Sequence, residues 1–567
     1  MPGTNTTSTQ TSAPAITKAA TYRGLFPEQL ADRCSPDALE SNSGPIAYLH
    51  ALYQQALALE ASSTSDQRLT LAQRRPDIGE LLLNREGLEK SIPPLTLVIN
   101  ALTRQAQAHA GSSAHLPEVI SQAQYPAGLP FHYPLAQIKA VLNYKKIPLF
   151  ELLQTSKHTF PNFCYQHLRT EELRQVMRTA TGFNPALQNL LLDNSATTTE
   201  GYLLAQFGVA GSNASALTQL RKVDFFCQKT GLKPEQVHDL LAISGVDDNA
   251  RQGFTSVKRS SAYPSQDSTE SDGHLYGAAF INNGKAPALS LEDTFAGAGL
   301  TLAIKGGTAA HFGRMNKVIH LQHALKLPFA EVDLLLMSAL RAEGQTRNFR
   351  ITQNTLRALG VYRYLNEVYA ITAGQYAALI HEVSPFAVGE EVAFLDRVLD
   401  GPGAGQLAQI DDQLIIDDSE FDPAQPADSA APSPIGRLCR ALGTDESLTR
   451  IYVAQVTAAL GLEKPVLSLT FMSSLYRLSR LPRLLRVPAH EGASLIAMLA
   501  LSNTGFQNIV AGKGRISDDD TQPDILDALI ALANTQRWLR RNRLSAPQVL
   551  AVLQPPDQLP QYLPELG

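Results

Sequence analysis

The chain has 567 residues, with 48 Lys and Arg against 53 Asp and Glu for a formal charge of -5, and it is 44% hydrophobic and 18% charged. That balance excludes disorder through most of the length, and the lack of a net positive field argues against nucleic acid as a partner. The four cysteines, Cys34, Cys164, Cys227 and Cys439, form no CxxC pair, so neither a zinc knuckle nor a redox dithiol is indicated and small buried thiols are expected.

Taken in order, residues 1–22 are Thr/Ser/Ala-rich and lack the apolar core of a classical signal peptide, which predicts a disordered tail. Residues 23–244 read as an N-terminal helical lobe, because apolar residues recur at three- and four-residue spacing, as at Ile46, Leu49, Tyr53 and Leu57. Within it Lys233-Pro234-Glu235-Gln236 opens a further helix through Val237, Leu240 and Leu241, with the proline in the first turn where no N–H is needed. Residues 245–308 form a Gly/Ser-rich insertion. Its run Tyr276 to Gly284 joins aromatic and β-branched residues to an Asn-Gly turn signal, which predicts a short hairpin there.

Residues 309–400 read as helical hairpins. Val318, Leu321 and Leu325 mark one buried face, Pro328-Phe329-Ala330-Glu331 opens the next helix, and Thr372-Ala373-Gly374-Gln375 fits a capping box. His320 and His323 can share a helix face, and His311 lies nearby. With no fixed carboxylate partner and no known ligand spacing, all three are expected to be solvated or hydrogen-bonded rather than metal-bound. Residues 401–434 carry Gly401-Pro402-Gly403, several prolines and the acidic group Asp411, Asp412, Asp417, Asp418 and Glu420. Without the alternating ligands and glycine of a calcium loop, they read as a linker or exposed loop.

Residues 435–567 form a C-terminal helical region, broken at Gly512 to Pro523 and Pro-rich at its end, where Ser545-Ala546-Pro547-Gln548 makes a second capping box. It holds two basic clusters. Arg477, Arg480, Arg483 and Arg486 interleave with leucines around Pro482, which interrupts the pattern, and Arg537, Arg540, Arg541 and Arg543 surround the single Trp538. Arginines so placed are expected at an internal or intersubunit interface, paired with acidic neighbours, rather than on a membrane or on nucleic acid. No stretch reaches the roughly 18 consecutive apolar residues of a spanning helix, so no direct membrane span is expected.

The fold expected is mainly α: an elongated, multi-lobed array of packed helices and helical hairpins with one small irregular or β-hairpin insertion. The recurring cap-and-turn unit is quasi-repetitive, its spacing being too uneven for a strict solenoid. Gly306-Gly307 lacks the Gly-Lys-Ser/Thr of a phosphate loop, and neither a Gly-x-Ser-x-Gly elbow nor a His-Glu-x-x-His helix occurs. No catalytic, cofactor-binding or metal-binding residue is nominated, no cofactor is expected, and the chain does not read as an enzyme.

Ser43-Gly44-Pro45-Ile46-Ala47-Tyr48-Leu49, Arg74-Arg75-Pro76-Asp77-Ile78 with Leu81 to Leu83, Leu129-Pro130-Phe131-His132-Tyr133-Pro134, Arg314-Met315-Asn316-Lys317-Val318-Ile319-His320-Leu321 and Leu475-Tyr476-Arg477-Leu478 together resemble the N-terminal part of insecticidal toxin-complex (Tc) A subunits and the related Salmonella virulence-plasmid A-protein family. The likeness runs from about residue 25 to 553. In Arg75-Pro76-Asp77, Pro76 starts a helix cleanly and Asp77 complements its positive end, so a structural corner accounts for that motif. The resemblance implies a pentameric, helical shell with receptor-binding domains around a translocation channel that delivers an enzyme carried by B and C subunits. Its implied partners are a second A-type chain or the C-terminal channel-forming part of the A subunit, the downstream B and C subunits, and a host cell-surface receptor. The implied location is secreted or bacterial-surface associated. Family members run on through a channel-forming region beyond this length, so a shell component without that region is expected. The alternative is a stand-alone helical scaffold, or host-surface-binding module, of the same fold.

Overall fold

The computed structural model describes residues 44–61, 70–82, 93–110, 115–157, 171–195, 201–246, 253–264, 275–296, 299–400, 414–424, 434–502, 505–517, 519 and 522–555. Cys34, Cys164, the 1–22 tail, Gly401 to Gly403, Asp411 and Asp412 lie outside them. Among the described residues 26 helices stand against six short strands, so the fold is mainly α. The chain divides into two compact units, with the boundary between Val119 and Ile120.

In the first unit, Pro45–Ala61 and Pro94–Ala110 are its long helices. Thr70 and Gln73 form a capping box at Leu71–Arg74, and the next helix starts at Pro76. There Arg75 Nε and Nη2 donate to Asp77 at 2.9–3.1 Å, closing the corner. Leu95, Val98, Ile99 and Leu102, spaced i, i+3, i+4, i+7, are all exposed.

The second unit is built on a repeated join. A helix ends in a left-handed residue, one residue follows, and the next position caps a new helix. Gly231 precedes the cap Lys233, Lys326 precedes Pro328, Ala370 precedes Thr372, and Arg543 precedes Ser545. Left-handed Lys146 stands likewise two residues before Pro148, which leads into Leu149–Lys157. The left-handed residue lets its own N–H and the next return to the last carbonyls, and the cap serves the first N–H groups of the helix that follows. Thr372 and Ser545 make the capping boxes read from the sequence: each hydroxyl accepts from the Gln N–H three residues on, and each Gln oxygen accepts from the cap N–H at 3.0 Å.

One continuous apolar core runs through this unit, with Phe207, Phe226 and Phe312 packed at centroid distances of 5.8–6.3 Å. Where Gln353–Tyr369 crosses Glu171–Thr179, Gly360 faces the carbonyl of Met177 so closely that any Cβ would overlap that oxygen. The glycine is required by the approach of two backbones.

The strands pair two by two, all antiparallel: β1 (Ile243–Val246) with β2 (Gly253–Thr255), β3 (Val257–Arg259) with β6 (Phe386–Val388), and β4 (Ser290–Ala296) with β5 (Gly299–Lys305). The 245–308 segment thus carries β structure, but not where the Asn-Gly signal put it. Tyr276 to Gly284 instead contains the helical turn Ala279–Asn282, and Asn283 takes the left-handed conformation that ends it. The cause is distant in sequence. Asp333 is fully buried and accepts from the N–H groups of Ala279 and Phe280 at 3.1 and 2.9 Å, supplying a helix-type anchor at the start of that turn. Part of the 401–434 stretch also packs against the body: Leu414 and Ile416 are buried, and Ile416 N–H donates to the Ala262 carbonyl.

Candidate functional site

The buried polar chemistry concentrates at two arginine junctions. The first is organised by the helix Leu469–Leu484, which runs through Pro482 rather than being interrupted by it. Arg477 has 0% of its surface exposed. Its Nε donates to the Leu379 carbonyl at 2.7 Å, Nη1 to those of Val510 and Gly512 at 3.0 and 2.7 Å, and Nη2 to that of His381 at 3.1 Å. Leu379 and His381 close the helix Ala373–Ile380, and Val510 and Gly512 close Phe506–Ala511. Those are carbonyls that no helix can satisfy internally, and they sit at the negative ends of two helix dipoles. Burial draws the Arg477 pKa down to about 10, so the side chain remains charged at neutral pH.

Its neighbours repeat the arrangement. Arg480 donates to the Ala441 carbonyl at 3.0 Å and Arg483 to Leu442 at 3.1 Å, both at the end of Pro434–Leu442, while Arg486 reaches Val368 in the last turn of Gln353–Tyr369 at 3.3 Å. The first basic cluster is therefore a set of helix-end ligands. The expected acidic partners are replaced by main-chain oxygens, because the face of the helix that carries these arginines, from buried Arg477 to exposed Arg486, meets helix termini.

The second junction uses carboxylates. Arg357, also with 0% exposed, bridges Asp524 at 3.1 Å and Asp527 at 3.4 Å, and Nη1 donates to the Asn354 side chain at 2.7 Å. Asp524 caps Ile525–Asn542, with Asp527 answering three residues later in a capping box. Burial works against the Asp524 charge, but Arg357 and the N–H groups of Ser517 and Asp527 outweigh it and hold the carboxyl below its ordinary range. This ion pair fastens Ile525–Asn542 to Gln353–Tyr369. From the second basic cluster Arg537 pairs with Glu151 at 2.7 Å and contacts the Tyr364 hydroxyl, Trp538 is half-buried, and Arg540, Arg541 and Arg543 are exposed.

None of Arg357, Asp524, Asp527 or Asp333 was nominated from the sequence. Asp524, placed before Ile525 and followed three residues on by Asp527, carried a legible cap signal; Asp333 and Arg357 carried none.

The histidines separate. His311 closes a capping box with Thr308, His320 is buried, and His323 is exposed. Among the described residues no three His, Cys, Asp or Glu side chains gather to hold a metal. Cys227 and Cys439 are free and half-buried, and burial pushes both thiols up. Among the described residues no single helix is long and apolar enough to cross a membrane; Leu469–Leu484 and Ala489–Leu501 reach that composition only as a pair bent by 105°.

The remaining feature is an uncovered apolar surface. On Tyr133–Lys145 only Leu142 is buried, while Tyr133, Ile138, Val141 and Tyr144 face solvent, Tyr144 with 82% exposed, and Ile147 and Leu152 extend the patch. Exposed apolar side chains grouped in this way are candidates for contact with another chain.

Residues 3–233 match the family described as Salmonella virulence plasmid 28.1kDa A protein. Toxin subunit YenA1 of Yersinia entomophaga is 23% identical over an alignment taking in 98% of this chain and 61% of that protein, so the chain spans about three fifths of the length of this curated relative. The cryo-EM structure of Morganella morganii TcdA4 has the same fold over 91% of this chain and 24% of its own, with a TM-score of 0.58 at 14% identity. That of Yersinia pseudotuberculosis TcaA-TcaB matches with a TM-score of 0.47 at 16% identity, over 92% of this chain and 19% of its own.

Proposed function

We propose that this chain is the N-terminal region of a Tc toxin A-type subunit, which its likeness to the virulence-plasmid A-protein family and to toxin subunit YenA1 supports, and that it forms a non-catalytic part of the helical shell of a toxin assembly, joined to other subunits through its exposed helix faces. The observation that carries the reading is the bare apolar face of Tyr133–Lys145, set on a body whose buried charges are spent on helix ends. A face of this composition gains stability by being covered, at about 25 cal/mol per Å² of apolar area removed from water. The partners that fit are a second A-type chain or the channel-forming part of the A subunit, with the B and C subunits beyond, and the site of action is outside the producing bacterium.

Co-expression tests the reading. The chain is expected to co-purify with a downstream A-type partner, and Val141→Asp with Tyr144→Asp is expected to abolish capture while leaving the helical circular-dichroism signal intact. Capture that survives both substitutions removes this face from the assembly. The purified chain is expected to give no conductance in planar bilayers, and single-channel currents from it would refute the shell role. If every A-type, B-type and C-type partner fails to bind the folded chain, the stand-alone scaffold reading takes its place.

A further inference from the structure

A cavity of about 480 Å³ lies among the helices Tyr133–Lys145, Ala309–Leu325 and Gln353–Tyr369, within the usual span of small-molecule sites, about 300–1,000 Å³. Two cations enter it from different helices. Lys139 Nζ donates to the Gly182 carbonyl and Arg363 Nη1 to the adjacent Thr181 carbonyl at 2.6 Å. A Cβ on Gly182 would stand 3.0 Å from Lys139 Nζ and 3.3 Å from Arg363 Nη1, so the two positive heads converge on one point. It would also press to 2.6 Å on Lys139 Cε, and Gly182 has φ +63°, so both the turn and the cationic pair need glycine here.

The pair lacks a counter-charge. No residue lining the cavity is acidic, and neither cation forms an ion pair among the described residues. Glu367, the carboxylate nearest in effect to Arg363, lines the adjoining groove. Two like charges held together and partly buried repel each other, and an anion between them relieves that repulsion.

His320, 2% exposed, borders the cavity with its ring set against the backbone of Gln124, Ala127 and Leu129.

We propose that this cavity binds a doubly charged oxyanion of the phosphate-monoester class, with its oxygens bridging Lys139 and Arg363 and its organic body lying over Phe183 and Leu187. A dianion matches the two positive heads, and the volume leaves room for a body beyond a bare phosphate.

The test uses the full chain with inorganic phosphate and glycerol 3-phosphate as probes, and with acetate and chloride at matched ionic strength, followed by thermal unfolding and calorimetry. Both phosphates are expected to raise Tm, the monoester more, and acetate and chloride to leave it unchanged. Lys139→Gln and Arg363→Gln are each expected to weaken phosphate binding at least about tenfold, the loss of one charge-assisted contact. Lys145→Gln, outside the cavity on the same helix, is expected to bind as the parent does. Without added anion, Lys139→Gln should unfold at the parent's Tm or above it, because like-charge repulsion is relieved; a purely structural lysine would lower it. Equal Tm shifts with chloride, an undiminished phosphate shift in the double variant, or a lowered anion-free Tm in Lys139→Gln would each overturn the proposal.

Discussion

Arg357 and Arg477 are equally inaccessible to water, yet they are satisfied in different ways. Arg357 lies against two carboxylates of one helix start, whereas Arg477 lies against four carbonyls of two helix ends. The first junction is charge against charge and depends on the protonation of its partners. The second is charge against dipole, and the four oxygens it touches are carbonyls that do not themselves titrate. A buried arginine is thus secured either by a matched pair of side chains or by geometry alone, and the two kinds of junction should fail differently.

The largest effect is expected at the ion pair. Arg357→Met strands Asp524 and Asp527 and should destabilise by about 3–5 kcal/mol in urea unfolding at pH 7, the usual cost of removing one partner of a buried pair. Arg477→Met leaves only neutral acceptors and should cost about 3 kcal/mol. Acid then separates them. Asp524 has its pKa depressed in the folded state, so its stabilisation is present above the unfolded carboxylate value near 4 and is lost as pH falls through the lower folded value. Stranded carboxylates can take up protons, so the gap between the parent and Arg357→Met should narrow from pH 7 to 4, while that for Arg477→Met should change less, through His381 alone. Parallel pH curves for the two variants would erase the distinction.

A third buried group serves as the control, with a window of its own. Burial and His323 lower the pKa of His320 to about 4 from an ordinary 6.5. The folded state therefore favours the neutral ring, and its contribution, on the order of 3 kcal/mol, is complete above pH 6.5 and lost as pH falls toward 4. His320→Leu is expected to flatten the parent's stability slope across that interval; an unchanged slope would show that another group carries it.

Caps that lie outside both junctions should matter less. Thr372→Ala is expected to cost about 1 kcal/mol. Two residues earlier, Ala370→Gly should stabilise by up to about 1 kcal/mol, since a left-handed alanine at φ +59° carries strain that glycine does not. A Tm that moves the same way for both would contradict the join described above.

The contrast between local and distant partners also explains what could be read from the sequence. Thr372 with Gln375, and Ser545 with Gln548, meet within one helical turn, so spacing alone revealed them. The helical character followed from apolar periodicity for the same reason. Arg477 was visible as a basic residue on an apolar helix, but its acceptors are main-chain atoms 33 to 98 residues away and leave no residue type to recognise. Tyr276 to Gly284 failed through the same blindness: the Asn-Gly signal is local, whereas the carboxylate that turns the segment helical comes from Asp333, more than fifty residues downstream. The cationic cavity was equally hidden, since Lys139, Gly182, His320 and Arg363 belong to four separate stretches of chain.

The Arg477 junction has a consequence for how such a chain can drift. A carbonyl is the same whichever side chain its residue bears, so the contacts made by residues 379, 381 and 510 do not depend on their identities, as long as the helices end where they do; Gly512 is the exception, because a Cβ there would meet the Asn508 carbonyl oxygen at 2.5 Å. Arg357 enjoys no such licence, because a lone change at Asp524 or Asp527 leaves it short of a partner. A body fastened mainly in the first way can lose nearly all recognisable sequence and still superpose, which is the condition of two chains that share a fold at 14% identity.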